Sequence, residues 1–169
     1  YGTADAVGDR WPDVHLIRLP ENIGFAAANN VGIRASAGTF VLLLNSDTLV
    51  EAGQLEGLCA ALEATPEAAA AGPRLVDGAG RQELSFGPMI SPAGETRQKV
   101  RLRLLDSGPD AIRHRITAAM QQRQFVDWVS GACLLVRRAA AEQVGLLDER
   151  YFMYCEDVDF CAALRAAGH

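Results

Sequence analysis

Residues 25–47, FAAANNVGIRASAGTFVLLLNSD, decide how this chain is read. Phe25 to Ala37 carries small and apolar residues with helix-forming character, and Gly38 stops it. Phe40 to Leu44 is a continuous apolar run of five residues. Following a helix at that length, it reads as a strand buried on both faces, as in a parallel sheet. Upstream, Val14 to Arg18 reads as a short strand and Leu19 to Gly24 as a loop. Strand, helix and buried strand make a βαβ unit, and so an α/β sheet, mostly parallel and flanked by helices. Asn45-Ser46-Asp47 follows the buried strand directly. Ligands of open α/β sheets collect at the carboxyl ends of strands, so this triplet occupies a privileged place.

Downstream, Leu55 to Ala64 reads as a helix, Ala68 to Val76 as a strand and Asp77 to Gly80 as a turn. Residues 85–124 differ in character. Pro88, Pro92 and Gly94 interrupt the start, and Arg97, Arg101, Arg103, Arg113, Arg115 and Arg123 then cluster with the only lysine, Lys99. The stretch reads as a partly helical, basic excursion from the core. Either it is a solvated surface, or it meets an anionic acceptor or a membrane surface. Phe125 to Val136 returns to strand character, broken at Ser130-Gly131. A short helix from Arg137 to Val144, an aromatic-rich loop from Leu146 to Tyr154 and a helix from Glu156 to Ala167 complete the chain.

With 169 residues, 49% hydrophobic and 22% charged, the chain suits one core rather than two domains. A mean hydropathy of +0.04 excludes intrinsic disorder of the low-hydrophobicity, high-charge type. Its longest apolar run is far short of a bilayer span. The net charge of −5 leaves no global basic field, so nucleic acid is not an expected partner. Cys59, Cys133, Cys155 and Cys161 form no C-x-x-C pair and match no zinc spacing. They read as buried free thiols of a reducing compartment.

Two acidic groups can carry chemistry. Asp47 after the strand is either a turn or cap residue or part of a ligand site at the strand's carboxyl end. Glu156, Asp157 and Asp159 crowd the start of the last helix, where the helix dipole favours acids. Crowding also raises one carboxylate toward the range of a general base. Tyr151 to Tyr154 just before them would form an apolar wall. His15 and His114 have no evident partner, and no G-x-S-x-G, P-loop or G-x-G-x-x-G occurs.

Taken together, three segments resemble the family 2 glycosyltransferases, in particular their rhamnosyltransferase-like bacterial branch. They are Asn22 to Asn30 with Gly32 and Ala35; Leu42 to Asp47; and Val126 to Cys133 followed by Gly145 to Glu149, Phe152 to Cys161, Arg165 and Gly168. The resemblance covers most of the chain outside residues 77–124. It implies a GT-A fold, one nucleotide-sugar-binding α/β domain. Asp47 would then be the last acid of a D-x-D-type motif, binding a divalent metal, Mg²⁺ or Mn²⁺, that bridges the donor diphosphate. Asn45 stands where other branches have an acid. Asp157 would be the general base, with Glu156 and Asp159 in support. Asn22, Gly24 and Asn30 would flank the donor, and Trp128 and Gly131 the acceptor.

The implied reaction is inverting transfer from a UDP- or dTDP-sugar to a saccharide or lipid-linked acceptor. The location implied is the cytoplasm, with contact at the inner membrane face. The family's nucleobase-holding strand and helix find no match here, and His169 is too early for a histidine that completes the metal site. The chain thus reads as a single partial domain, 1–169, with open edges that favour self-association. Two other classes stay open: a non-catalytic nucleotide-sugar-binding or interaction module, and a metal-dependent phosphohydrolase.

Overall fold

The structure is a computed structural model describing residues 2–83, 85–89 and 91–169. For Pro92, Ala93, Glu95, Arg97 and Gln98 it describes the backbone alone, so the Arg97 side chain of the basic cluster lies outside the described residues. Twelve elements follow in order: α1 (Thr3–Arg10), α2 (Phe25–Ala35), β1 (Phe40–Leu44), α3 (Gln54–Glu63), β2 (Ala70–Ala71), β3 (Phe86–Gly87), α4 (Pro92–Ser107), α5 (Asp110–Met120), β4 (Trp128–Val129), β5 (Cys133–Arg137), α6 (Arg138–Gln143) and α7 (Glu156–Ala166).

The helices at 25, 54 and 156, the strand at 40 and the two-helix excursion lie where the sequence places them. The sheet differs. Its order is β1-β5-β2, and β5 runs antiparallel to both neighbours, with Leu42 opposite Leu135 and Ala70 opposite Val136. β1 and β2 are therefore parallel to each other, joined through α3, with β5 inserted between them. β1 is not buried on both faces. Val41 and Leu43 point into the core at 7% and 3% exposure, whereas Leu44 is 40% exposed. The strand buried throughout is β5, from Cys133 to Val136. An apolar run alone does not distinguish these cases, because β1 has a partner strand on one edge only among the described residues. Its other edge opens on a groove of about 450 Å³ against α2, lined by Ala28, Gly32, Ile33, Phe40 and Leu42.

The N-terminal expectation is also corrected. Residues 14–18 form no strand, and the segment ahead of them forms the helix α1. Val14 and Ile17 are 53% and 39% exposed, so this segment has no sheet against which to bury its apolar side chains. An exposed Arg18–Asp5 ion pair ties it to α1.

Two adjacent arginines at the end of β5 finish two helices. Arg137 donates to the carbonyls of Leu62 (2.6 Å), Ala68 (2.9 Å) and Thr65 (3.3 Å) beyond the end of α3. Arg138 donates to the Ile33 carbonyl (3.0 Å) and to Ser36 Oγ (2.6 Å) at the end of α2. Guanidinium groups satisfy the orphan carbonyls there and complement the negative end of each helix.

The excursion leaves and re-enters through the β3–β4 pair, with Phe86 opposite Val129. Ser91 caps α4 by accepting from the Gly94 amide at 3.0 Å. Arg103, Arg113, Arg115 and Arg123 are exposed, and Arg113 pairs with Asp110. The four cysteines are free, with Cys133 and Cys161 buried and Cys155 exposed. Among the described residues, no helix is long and apolar enough to cross a membrane.

Asn30, 1% exposed, clasps α2 to the loop before α7. Its amide donates to the Leu147 carbonyl (2.8 Å) and to Glu149 Oε1 (3.0 Å), and its carbonyl accepts from the Leu147 amide (3.1 Å). Replacing it would strand both backbone groups of Leu147 in the core. Asn30→Ala is expected to lower unfolding free energy by about 2 kcal/mol or more in urea denaturation. A loss below about 0.5 kcal/mol would show that the clasp carries no weight.

Candidate active site

Three backbone turns meet at one end of the sheet. The first follows β1. The Asn45 amide donates to the Ala132 carbonyl at 3.0 Å, and the Thr48 amide closes the turn on the Asn45 carbonyl at 3.1 Å. Thr48 Oγ1 donates to that same Ala132 carbonyl at 3.3 Å. Asp47 stands on this turn, exposed, and its carboxylate has no hydrogen bond or ion pair among the described residues.

The second turn, Ser130 to Ala132, joins β4 to β5. The Gly131 amide donates to Asp157 Oδ2 at 2.9 Å. The other carboxylate oxygen, Oδ1, accepts from the Val158 amide at 2.8 Å. Asp157 is thus held by two backbone amides, one across the fold and one from its own helix start. A carboxylate offers about four acceptor positions, so two remain.

The third is the entry to α7. Tyr154 and Cys155 both adopt φ of +70°, a left-handed geometry that L residues hold only under constraint. Gly24, at φ +87°, lets the start of α2 come against this loop, and a Cβ there would sit 2.5 Å from the Phe152 carbonyl. That carbonyl accepts from the Phe25 amide at 2.8 Å. Asn22 Oδ1 accepts from the Gly24 amide at 3.0 Å, which fixes the approach.

The remaining acids divide by environment. Glu156 is 6% exposed, and its Oε2 is buried with no hydrogen-bond partner. Burial pushes its carboxyl above the usual glutamate value, and the Asp157 charge adds to this. Asp159 Oδ1 lies 3.5 Å from the Tyr151 hydroxyl. The Asp159 charge raises that phenol, with burial second.

Asn22, Gly24, Asn45, Gly131 and Asp157 are therefore linked, through Phe25 and Ala132, at one end of the sheet, and Asp47 stands on the turn that Ala132 holds. Two expected residues sit elsewhere. Asn30 has its side chain engaged in the Leu147 clasp. Trp128 is 8% exposed, and its indole Nε1 donates to the Pro88 carbonyl at 2.9 Å, so it seats the base of the excursion. Phe152, Met153 and Tyr154 are 56%, 51% and 78% exposed and lie open rather than packed as a wall. Sequence reasoning missed the Ala132 carbonyl and Thr48; the signal for Thr48 was a hydroxyl one residue past the acidic triplet. No group of three or more His, Cys, Asp or Glu is gathered for a metal among the described residues. A lone open carboxylate does suit Mg²⁺ or Mn²⁺ that keeps water and phosphate as its other ligands.

The chain matches the family described as glycosyl transferase family 2 over residues 3–145. It is 35% identical to an N-acetylglucosaminyl-diphospho-decaprenol L-rhamnosyltransferase of Mycobacterium tuberculosis, across 99% of this chain and 58% of that protein. It is 27% identical to the low-salt glycan biosynthesis hexosyltransferase Agl10 of Haloferax volcanii, across 90% of this chain and 47% of that protein. A 43-residue stretch, a quarter of this chain and 16% of its relative, is 49% identical to the rhamnosyltransferase WbbL of Escherichia coli. The chain spans less than two thirds of the length of these curated relatives. The family match takes in the Asp47 and Gly131 turns, the mycobacterial alignment extends over nearly the whole chain, and the family's fold is the α/β GT-A fold: this chain belongs to glycosyl transferase family 2.

Proposed function

We propose that the protein carrying this chain is an inverting glycosyltransferase. It moves a sugar, rhamnose or another hexose, from a UDP- or dTDP-linked donor to a glycan or lipid-linked saccharide. The single observation that carries this reading is the shared turn. Ala132 holds the turn that carries Asp47 and the adjacent Gly131 holds Asp157, so the segments bearing the two carboxylates are tied to neighbouring residues of one turn, which supports a donor-side and an acceptor-side role for them.

Asp157 accepts the proton of the acceptor hydroxyl through one of its two unused acceptor positions. The hydroxyl oxygen then attacks the anomeric carbon as the bond to the diphosphate breaks. One displacement inverts the centre, and no covalent intermediate forms. Asp47 would hold Mg²⁺ or Mn²⁺, which would supply charge neutralisation to the departing diphosphate. The Gly24–Phe152 contact keeps the start of α2 against the α7 entry, so the donor-side loop and the base move as one piece. In this reading the exposed arginines Arg103, Arg113 and Arg115 of α4 and α5 would meet an anionic acceptor or the inner membrane face in the cytoplasm.

Calorimetric titration of UDP and dTDP, with and without Mn²⁺, tests the donor side. Metal-dependent binding is expected, and Asp47→Ala is expected to abolish its metal dependence. Binding that ignores both Mn²⁺ and Asp47 would refute the metal assignment. On the acceptor side, Asp157→Asn is expected to reduce transfer by about 10²- to 10⁴-fold. Nucleotide affinity should stay within about twofold. Unchanged transfer would remove Asp157 from the mechanism.

Glu156 makes a separate prediction. Its folded carboxyl titrates above the ordinary value, so the unfolded chain ionises first and stability falls as pH rises past that value. Glu156→Gln removes this loss. Its melting temperature should match the wild type near about pH 4 and exceed it increasingly toward about pH 8. A difference independent of pH would mean that burial of the charge is not its origin.

A further inference from the structure

We infer that Gly131 is a positioning residue for Asp157, and that its turn sets the spacing between the base and the Asp47 loop. This rests on the reading of Asp157 given above.

Gly131 is buried, and its amide is the only group outside α7 that bonds the Asp157 carboxylate among the described residues. Aim therefore depends on where this amide lies. The turn is fixed on every side. The Ser130 amide donates to the Ser85 carbonyl (2.8 Å), and the Cys133 amide to the Ser130 carbonyl (3.3 Å). Ser130 Oγ accepts from the Ala132 amide at 3.3 Å. Ala132 in turn carries the Asn45 and Thr48 bonds, so a shift of the turn moves both carboxylates relative to each other.

The space beside the glycine is tight on one side. A Cβ at 131 would lie 3.3 Å from Cε1 and Cζ of Phe25, closer than most Cβ contacts, and 3.5 Å from the Asp157 Cβ, an ordinary contact. The Phe25 ring edge must yield by a few tenths of an ångström to admit a methyl group, and the turn is expected to shift against Asp157 in its place. The predicted damage is to orientation. Neither donor contact nor folding needs to suffer, because the wedge is one methyl group against one ring edge. Phe25→Leu withdraws that ring edge and should make room.

Gly131→Ala, Phe25→Leu and the double variant should be compared in the protein that carries this chain, with the donor nucleotide selected by titration. Gly131→Ala is expected to lower kcat about tenfold or more, with donor KM within about twofold. The double variant should recover most of that loss relative to Phe25→Leu alone. The Gly131 amide proton gives a readout independent of turnover. It should resonate downfield and exchange slowly in the wild type, and lose both features in Asp157→Asn and in Gly131→Ala measured at residue 131. An unchanged kcat, a loss confined to KM, failure of rescue, or a Gly131 amide indifferent to Asp157→Asn each overturns the inference. If Asp157→Asn leaves transfer intact while the amide signature changes as expected, the reading of Asp157 as the base fails and the contact alone stands.

Discussion

β5 is the strand on which the rest is hung. It is bonded on both edges, to β1 and β2, and four of its five residues are buried. Burial of Leu134, Leu135 and Val136 contributes about 1.5–3 kcal/mol per side chain, enough to fix its place and register. Both ends then have definite positions. At one end Arg137 and Arg138 finish α3 and α2. At the other, the turn from Ser130 to Ala132 faces Asp157 and the Asp47 loop. Stability and site geometry are thus properties of one strand, read from opposite ends.

The site combines a fixed group with an open one. Asp157 is pinned by two amides, and the loop before it holds two consecutive left-handed residues, a conformation that persists only when the surroundings impose it. The Phe25–Phe152 bond and the bare Gly24 supply that imposition. Asp47 is exposed and unbonded among the described residues, as a group must be if its partner arrives with a ligand.

How much of this the sequence disclosed depends on the range of each interaction. The Asn45–Asp47 turn and the Glu156–Asp157 helix start were legible because polar residues directly follow an apolar run or open a helix. Sheet direction was not. Phe40 to Leu44 is apolar at every position, and only pairing shows that Leu44 is open and that the fully buried strand is Cys133 to Val136. The tertiary contacts of Asn30 and Trp128 were hidden for a related reason. The partners of Asn30 lie 117 and 119 positions away, and Trp128 bonds a carbonyl 40 positions away. No local pattern separates such a clasp from a ligand contact. Residues 14–18, with Val14, Leu16 and Ile17, have the apolar content of a strand, but a strand needs an edge to join.

The charge balance at the site bears on where a diphosphate could bind. Three acids open α7 and a fourth, Asp47, stands on the turn after β1, so an anionic ligand meets negative charge there. Asp157 is compensated by amides, Asp159 approaches a phenol, and burial disfavours the charged form of Glu156. The nearby arginines are already engaged: Arg150 with Asp148, Arg34 with Glu149, and Arg165 with Asp127. Spare positive charge is therefore not on hand from these side chains, while Asp47 keeps an uncompensated negative one. In the proposed mechanism a divalent cation at Asp47 meets both needs, since it neutralises the acid and then presents charge to the phosphates. The same balance fits a proposed base, Asp157, that is tied by backbone amides rather than by an arginine. An amide orients a carboxylate without adding a full charge that would compete for the diphosphate.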